Sequence, residues 1–257
     1  FPCSIMGYWP IVLNVLRNSD VVLLLVDARM PELSQNSEIV SKVESMKEKR
    51  LIVVFNKCDL ISKTELKKLE KEYPNAYFVS STKKKNVEKL KRHLVNLSEN
   101  FDRFSLRVGL VGYPNVGKSS LINLLAPTAK AKVSSVSGTT KKTQWVRDKK
   151  LRIMDSPGII PFGDSKTKLG MTASKDPHKI KNPENIAIKI INYLRTKESK
   201  ALLNFYSVGN LKSEDDYEIF EAIARKKGYL IKGGEVDEHR TAIQIIDDWQ
   251  KGKIKLG

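Results

Sequence analysis

Residues 112–119 read Gly112-Tyr113-Pro114-Asn115-Val116-Gly117-Lys118-Ser119, after the apolar run 106–111 and before the helical pattern "KSSLINLLA". The stretch fits G-x-x-x-x-G-K-S in its required context of strand, glycine-rich turn and helix. The glycines let backbone N–H groups wrap phosphate oxygens, and the helix N-terminus adds partial positive charge. Lys118 supplies a cation for the β and γ phosphates, and Ser119 a hydroxyl for Mg²⁺. Asn115, Val116, Gly117 and Ser120 complete the phosphate-binding set that the motif implies.

Downstream, "DSPG" (Asp155 to Gly158) ends another apolar run, where a D-x-x-G element belongs. Asp155 would hold Mg²⁺, through water, and the Gly158 N–H would contact the γ phosphate. Between the two elements lies "SGTTKKTQ" (137–144). A threonine there can meet Mg²⁺ and the γ phosphate, and order the segment only with triphosphate bound. Thr140 is the first choice and Thr139 the second.

Upstream, "LIVVFNKCD" (51–59) closes an apolar run on Asn56, Lys57, Cys58 and Asp59. The Asp59 carboxylate can accept from guanine N1–H and the exocyclic amine, a donor pair that adenine lacks. Lys57 would pack its stem along the base, and Asn56 would tie loops together. In "VSSTKKKNV" (79–87), Ser80 and Ser81 end a further run, where a backbone N–H can reach guanine O6. The order is therefore base motif, base-supporting loop, phosphate loop, threonine switch, D-x-x-G. Ordinary GTPases begin at the phosphate loop. A circular permutation explains the order, with all five loops kept at the C-terminal edge of one sheet and "SENFDRFS" (98–105) as the join.

The runs 21–28, 51–56, 76–81, 106–112 and 151–156 read as strands buried on both faces of a mostly parallel sheet. Helical patterns at 37–49, 64–72, 87–97 and 118–126 alternate with them, which predicts a doubly wound α/β fold. From about residue 171 the pattern becomes helical throughout. Three amphipathic segments follow "GDSKTKLGMTASKDPHKIK" (163–181), which reads as a polar, mobile linker. Pro183 suits a first helical turn and Gly228 a helix stop. The expected organisation is a GTP-binding domain over 1–170 and a small all-α domain over 171–257.

The 257 residues carry a net charge of +17, with the excess concentrated around 83–92 and 130–152. That balance points to a polyanionic partner, nucleic acid before any other. Two cysteines far apart suit a reducing cytosol and suggest neither a disulfide framework nor a metal site. No run approaches a membrane span, and the N-terminus lacks the basic region and cleavage site of a signal peptide. His93, His178 and His239 form no ligand set. Trp145, Trp249 and Tyr229 could stack on RNA bases, although packing is the expected role of each.

The sequence resembles the circularly permuted GTPases of the YlqF/YawG type, which assist assembly of the large ribosomal subunit. The carrying residues are "NKCDL", "GYPNVGKSSLIN", "SGTTKKTQ", "DSPGI" and "DVVLLLVDARMP" (20–31), with "GGEVDEHRTAIQIIDDWQKGKI" similar to the end of the family's helical domain. Ser137 stands where the family often has Pro. The resemblance implies a P-loop G domain in permuted order, GTP/GDP with Mg²⁺ as ligands, and catalysis through Asn115, Lys118, Thr140 and Gly158. It also implies a monomeric, cytoplasmic protein that binds a large-subunit precursor and its rRNA. Ile159 occupies the position of the water-orienting glutamine of other GTPases, and Asn115 matches an asparagine that helps hold K⁺ in potassium-activated relatives. Arg29, in the D-A-R-x-P signature, would anchor a loop. Two alternatives remain: an RNA-binding module that uses GTP as a structural ligand, and a GTPase acting on tRNA.

Overall fold

Val21–Asp27 is buried at every position, and its apolar faces need cover on both sides. The computed structural model, which describes residues 9–99, 101, 105–127, 144–148, 150–158, 166–172, 176–209 and 215–256, supplies that cover with helices. Contacts divide the chain into two units, Phe1–Asp59 with Thr64–Asp164, and Leu60–Lys63 with Ser165–Gly257.

In the first unit the order is α1 (Trp9–Asn18), β1 (Val21–Asp27), α2 (Pro31–Ser34), α3 (Ser37–Glu44), β2 (Arg50–Asn56), α4 (Lys63–Glu72), β3 (Tyr77–Phe78) and α5 (Val87–Ser98). Then come β4 (Leu106–Gly112), α6 (Lys118–Leu125), β5 (Gln144–Asp148) and β6 (Leu151–Asp155). The strands form one sheet in the order β3-β2-β1-β4-β6-β5, parallel except for β5 against β6. From β1 the sheet runs outward through β2 to β3, and on the other side β4 neighbours β6, with β5 at the edge. The crevice between β1 and β4 is where ligands of such sheets bind, beyond the strands' C-terminal ends. The doubly wound, mostly parallel architecture is the one the sequence implies.

Packing explains the local choices. Val87, Leu90, Leu94 and Leu97 recur at helical spacing, and all four are buried on one side of the sheet. Burying side chains of this size stabilises the fold by roughly 1.5–3 kcal/mol each before entropy is subtracted. Val12, Val15 and Leu16 of α1 are fully buried, and a side chain at Gly109 of β4 would strike Val15 and Ser19.

Several local expectations need correction. The stretch 76–81 is a strand only at Tyr77–Phe78, because it then turns into a loop closed by Ser80 and Lys85. The 37–49 helix stops at Glu44. Strand β5 and helix α1 have no counterpart in the sequence reading. "QWVRD" is short and charged, and its strand character comes from antiparallel pairing with β6.

The second unit holds α7 (Lys166–Met171), α8 (Pro183–Phe205), α9 (Asp216–Lys227) and α10 (Glu238–Gln250). Pro183 does open α8 and Gly228 does end α9. The expected mobile linker is packed at several of its described positions. Met171, Thr172 and Ile180 are buried, the Trp249 indole N–H donates to Met171 O at 3.0 Å, and Gln250 donates to Gly170 O at 2.9 Å. Its apolar residues are too sparse to show a helical period. Trp249 is thus a core residue. Leu60–Lys63 joins this unit through Ile61, which pairs with Leu256, whose N–H donates to Leu60 O at 2.6 Å.

Candidate nucleotide site

The C-terminal ends of β1, β2, β4 and β6 present Asp27, Asn56, Gly112 and Asp155 along one edge of the sheet. Asn56 is 2% exposed and joins three loops. Its Nδ2 donates to Val116 O at 2.8 Å, while its Oδ1 accepts from the Ser81 N–H and from the Ser81 hydroxyl, each at 3.0 Å. The base motif, the phosphate loop and the base-supporting loop are therefore locked together by one side chain. Gly117 makes the approach possible. Its φ of 99° suits glycine, and a Cβ there would collide with Asn56 Nδ2.

Lys57 follows at φ 65° with its ammonium 2.9 Å from Asp27 Oδ2. Asp59 is half-buried in the 3₁₀ turn Cys58–Leu60. Burial pushes the Cys58 thiol up to about 12, with Asp59 adding to the shift, so this cysteine is neutral and packs as an apolar residue. Ser80 is fully buried. It exchanges backbone hydrogen bonds with Lys85 and accepts from the Lys83 N–H at 3.0 Å, which shapes the loop that carries Ser81.

In the phosphate loop, Lys118 is 7% exposed and its ammonium donates to Gly112 O at 2.9 Å and Tyr113 O at 2.6 Å. Burial lowers its pKa to about 8, against a smaller raising effect of Asp155. Asn115 sits at φ 57°, a left-handed turn that asparagine tolerates. Val116 is buried, while Ser119 and Ser120 are half-buried. The Ser119 hydroxyl donates to Asp155 Oδ2 at 3.2 Å, and Asp155 is fully buried. Ser156 anchors the next turn through its hydroxyl to Leu110 O, and Gly158 lies so close to Pro114 that any side chain there would overlap it.

The arrangement offers oxygen ligands at Ser119 and Asp155, a buried cation at Lys118 and a half-buried carboxylate at Asp59, carried by a helix start, a strand end and a 3₁₀ turn at one sheet edge. Ser137, Thr139, Thr140 and Ile159 lie outside the described residues, as do Lys141 and Lys142.

Residues 12–164 match the family profile described as RsgA GTPase. The chain belongs to the RsgA GTPase family. Its G domain is circularly permuted in the YlqF manner. A second profile, described as 50S ribosome-binding GTPase, matches residues 107–227. An uncharacterised GTP-binding protein of Methanocaldococcus jannaschii is 37% identical over 246 residues, covering 95% of this chain and 65% of that protein. Nucleolar GTP-binding protein 2 of Pneumocystis carinii is 35% identical, over 96% of this chain and 52% of that protein. This family member thus spans about half to two thirds of the length of these two relatives. A crystal structure of GNP-bound YlqF from T. maritima and a GDP-bound YlqF structure each match it at 25% identity. Their TM-scores are 0.64 and 0.65, and 94% and 96% of this chain is covered, against 92% and 97% of theirs.

Two features of the site were weakly signalled in the sequence. Asp27 and Arg29 of the D-A-R-x-P stretch are both 1% exposed and form an ion pair at 2.8 Å directly behind Lys57. Each histidine has its own surroundings. His93 packs on Tyr77 with ring centroids 5.4 Å apart, His178 is exposed, and His239 faces Glu184 at 3.2 Å. Among the described residues no group of His, Cys, Asp and Glu could hold a metal ion, and no helix is long and apolar enough to cross a membrane.

Proposed function

We propose that this chain binds GTP, hydrolyses it to GDP and phosphate, and uses the nucleotide state to govern its attachment to a precursor of the large ribosomal subunit through rRNA. The observation that carries the reading is the Asn56 junction, which joins the base motif to the phosphate loop although the two are in permuted order. The nucleotide-bound YlqF structures, the nucleolar relatives and the net charge of +17 support it.

Asp59 would accept from the guanine edge, Lys57 would line the base, and backbone N–H groups of the Ser80–Ser81 loop would face O6. Gly117, Lys118 and the start of α6 would hold the phosphates, flanked by Asn115, Val116 and Ser120. The Lys118 ammonium would exchange the carbonyls of Gly112 and Tyr113 for phosphate oxygens, a stronger, charge-assisted partnership. The donor set suits Mg²⁺, since Ser119 and Asp155 bring hard oxygens within 3.2 Å of each other. When bound, that ion would neutralise charge developing on the phosphates. Thr140 and the Gly158 N–H would sense the γ phosphate. The Asn115 carboxamide offers an oxygen of the kind that K⁺ prefers, and Ile159 leaves water to be oriented by other groups. Slow turnover alone, stimulation by K⁺ and ribosomal particles, and action as a cytoplasmic monomer complete the proposal.

Sedimentation with large subunits tests the switch. Co-sedimentation should differ between GDP and a non-hydrolysable GTP analogue, and phosphate release should rise with added particles and with K⁺ in place of Na⁺. Nucleotide-independent binding would remove the switch. A single turnover without recycling would leave GTP as a structural ligand.

A further inference from the structure

Asp27 ends β1 beside Asn56, its register partner at the end of β2, and the Ala28 N–H donates to Asn56 O at 2.9 Å. The carboxylate holds several donors at once. Arg29 donates its backbone N–H and its Nε to Oδ1, both at 3.1 Å, and its Nη2 to Oδ2 at 2.8 Å. Lys57 Nζ reaches the same Oδ2 at 2.9 Å. The Asp27 N–H donates to Ser34 Oγ at 3.0 Å, and that hydroxyl donates to Met30 O at 2.8 Å, so the backbone carrying the carboxylate is also tied down.

Two features show that this network acts on the base loop. First, Lys57 occupies a left-handed backbone conformation at φ 65°, which a non-glycine residue keeps only when its surroundings hold it there. Second, charge couples the network to the loop. Lys57 feels the negative charges of Asp27 and of Asp59, two residues further on, against the positive charge of Arg29. Burial alone would raise the Asp27 carboxyl, but Arg29 and Lys57 hold it well below the usual carboxylate range, so it remains a firm anion.

The geometry points to Asp27 and Arg29 as positioning residues for guanine recognition: by gripping the Lys57 ammonium they hold the strand-end turn in the shape that presents Asp59 to the base edge. Neither residue needs to touch nucleotide. The inference rests on the GTP reading above and adds the part that sets its selectivity. Arg29 is required as a planar fork that spans both carboxylate oxygens while sharing Oδ2 with Lys57, and a lysine there could not reproduce this.

The test compares GDP, IDP and tripolyphosphate on the full chain, by titration or by competition against a fluorescent GDP. IDP lacks the exocyclic amine, so the GDP-to-IDP ratio reports the Asp59 contact, while tripolyphosphate reports the phosphate loop alone. Asp27→Asn should weaken GDP about 10–100-fold and bring the ratio towards one, as expected when a buried polar contact is misaligned. Tripolyphosphate should move by less than about twofold. Arg29→Lys keeps the ion pair without the fork and should give an intermediate ratio, which serves if Asp27→Asn does not fold. The double variant Asp27→Asn/Lys57→Met should be no worse than Lys57→Met alone, because both act through one contact. An unchanged ratio, equal losses for all three ligands, or additive effects in the double variant would each overturn the proposal. Wild-type protein that binds tripolyphosphate but does not prefer GDP to IDP would instead overturn the guanine reading of Asp59.

Discussion

The Asn56 amide nitrogen lies 2.8 Å from the carbonyl oxygen of Val116, sixty residues further along the chain. In a permuted chain this contact does what sequence order does not, since it fixes the base loop relative to the phosphate loop. Asn56→Ala should remove this bond and both bonds from Ser81. We expect a loss of about 1–3 kcal/mol in stability, because buried partners are left unmet. GDP affinity should also fall by about tenfold or more, the equivalent of some 1.4 kcal/mol. Chemical denaturation and GDP titration measure the two effects separately.

Asp59→Asn should exchange base preference. An amide cannot accept from guanine N1–H and the amine together, but it can pair with the altered edge of xanthine. GTP binding should weaken while XTP binding strengthens. Unchanged GTP affinity would remove Asp59 from base recognition.

Lys118 gives a pH-dependent prediction. Its folded pKa of about 8 lies below its usual 10.5, so between these values the unfolded chain binds more protons and stability rises with pH. Nucleotide phosphate needs the charged form, so GDP affinity should fall as pH passes about 8. Lys118→Met should abolish nucleotide binding. Near pH 7 it should raise the stability of the nucleotide-free protein by roughly 1–3 kcal/mol, an advantage that shrinks towards pH 10.5. Thermal melts across pH with and without GDP would read both trends.

Ser119→Ala and Asp155→Asn should each raise the Mg²⁺ concentration needed for half-maximal GTP hydrolysis, with the larger effect at Asp155, which loses a formal charge. Mg²⁺ titrations of phosphate release separate this from a loss of GTP affinity, which can be measured with the metal chelated.

Gly117→Ala should be more damaging than its single methyl suggests. The new Cβ overlaps the Asn56 amide at a φ of 99°. Forcing that conformation costs about 1–3 kcal/mol, so nucleotide binding and the melting temperature should fall together.

What could be read along the chain follows from short-range chemistry. The phosphate loop needs its glycines and Lys118 within eight residues, and the guanine motif needs Asn56 to Asp59 in one turn, so both are visible as local patterns. Near-continuous apolar runs marked β1 and β4, because strands buried on both faces carry little polar alternation, and shorter apolar runs marked β2 and β6. Strand β5 and the packed segment at Met171–Thr172 escaped because their structure depends on distant partners, Leu151–Asp155 for one and Trp249 for the other.

By itself, the sequence determined the permuted order of motifs, the α/β class and the family, because each motif carries its own chemistry. Only the tertiary structure decided which groups serve one another. Asn56 meets Val116, and Lys57 meets Asp27 and through it Arg29, across gaps of 60 and 30 residues that no local spacing rule connects. The physical reason is that hydrogen bonds and ion pairs act over about 3 Å in space, while the sequence records only neighbours along the chain.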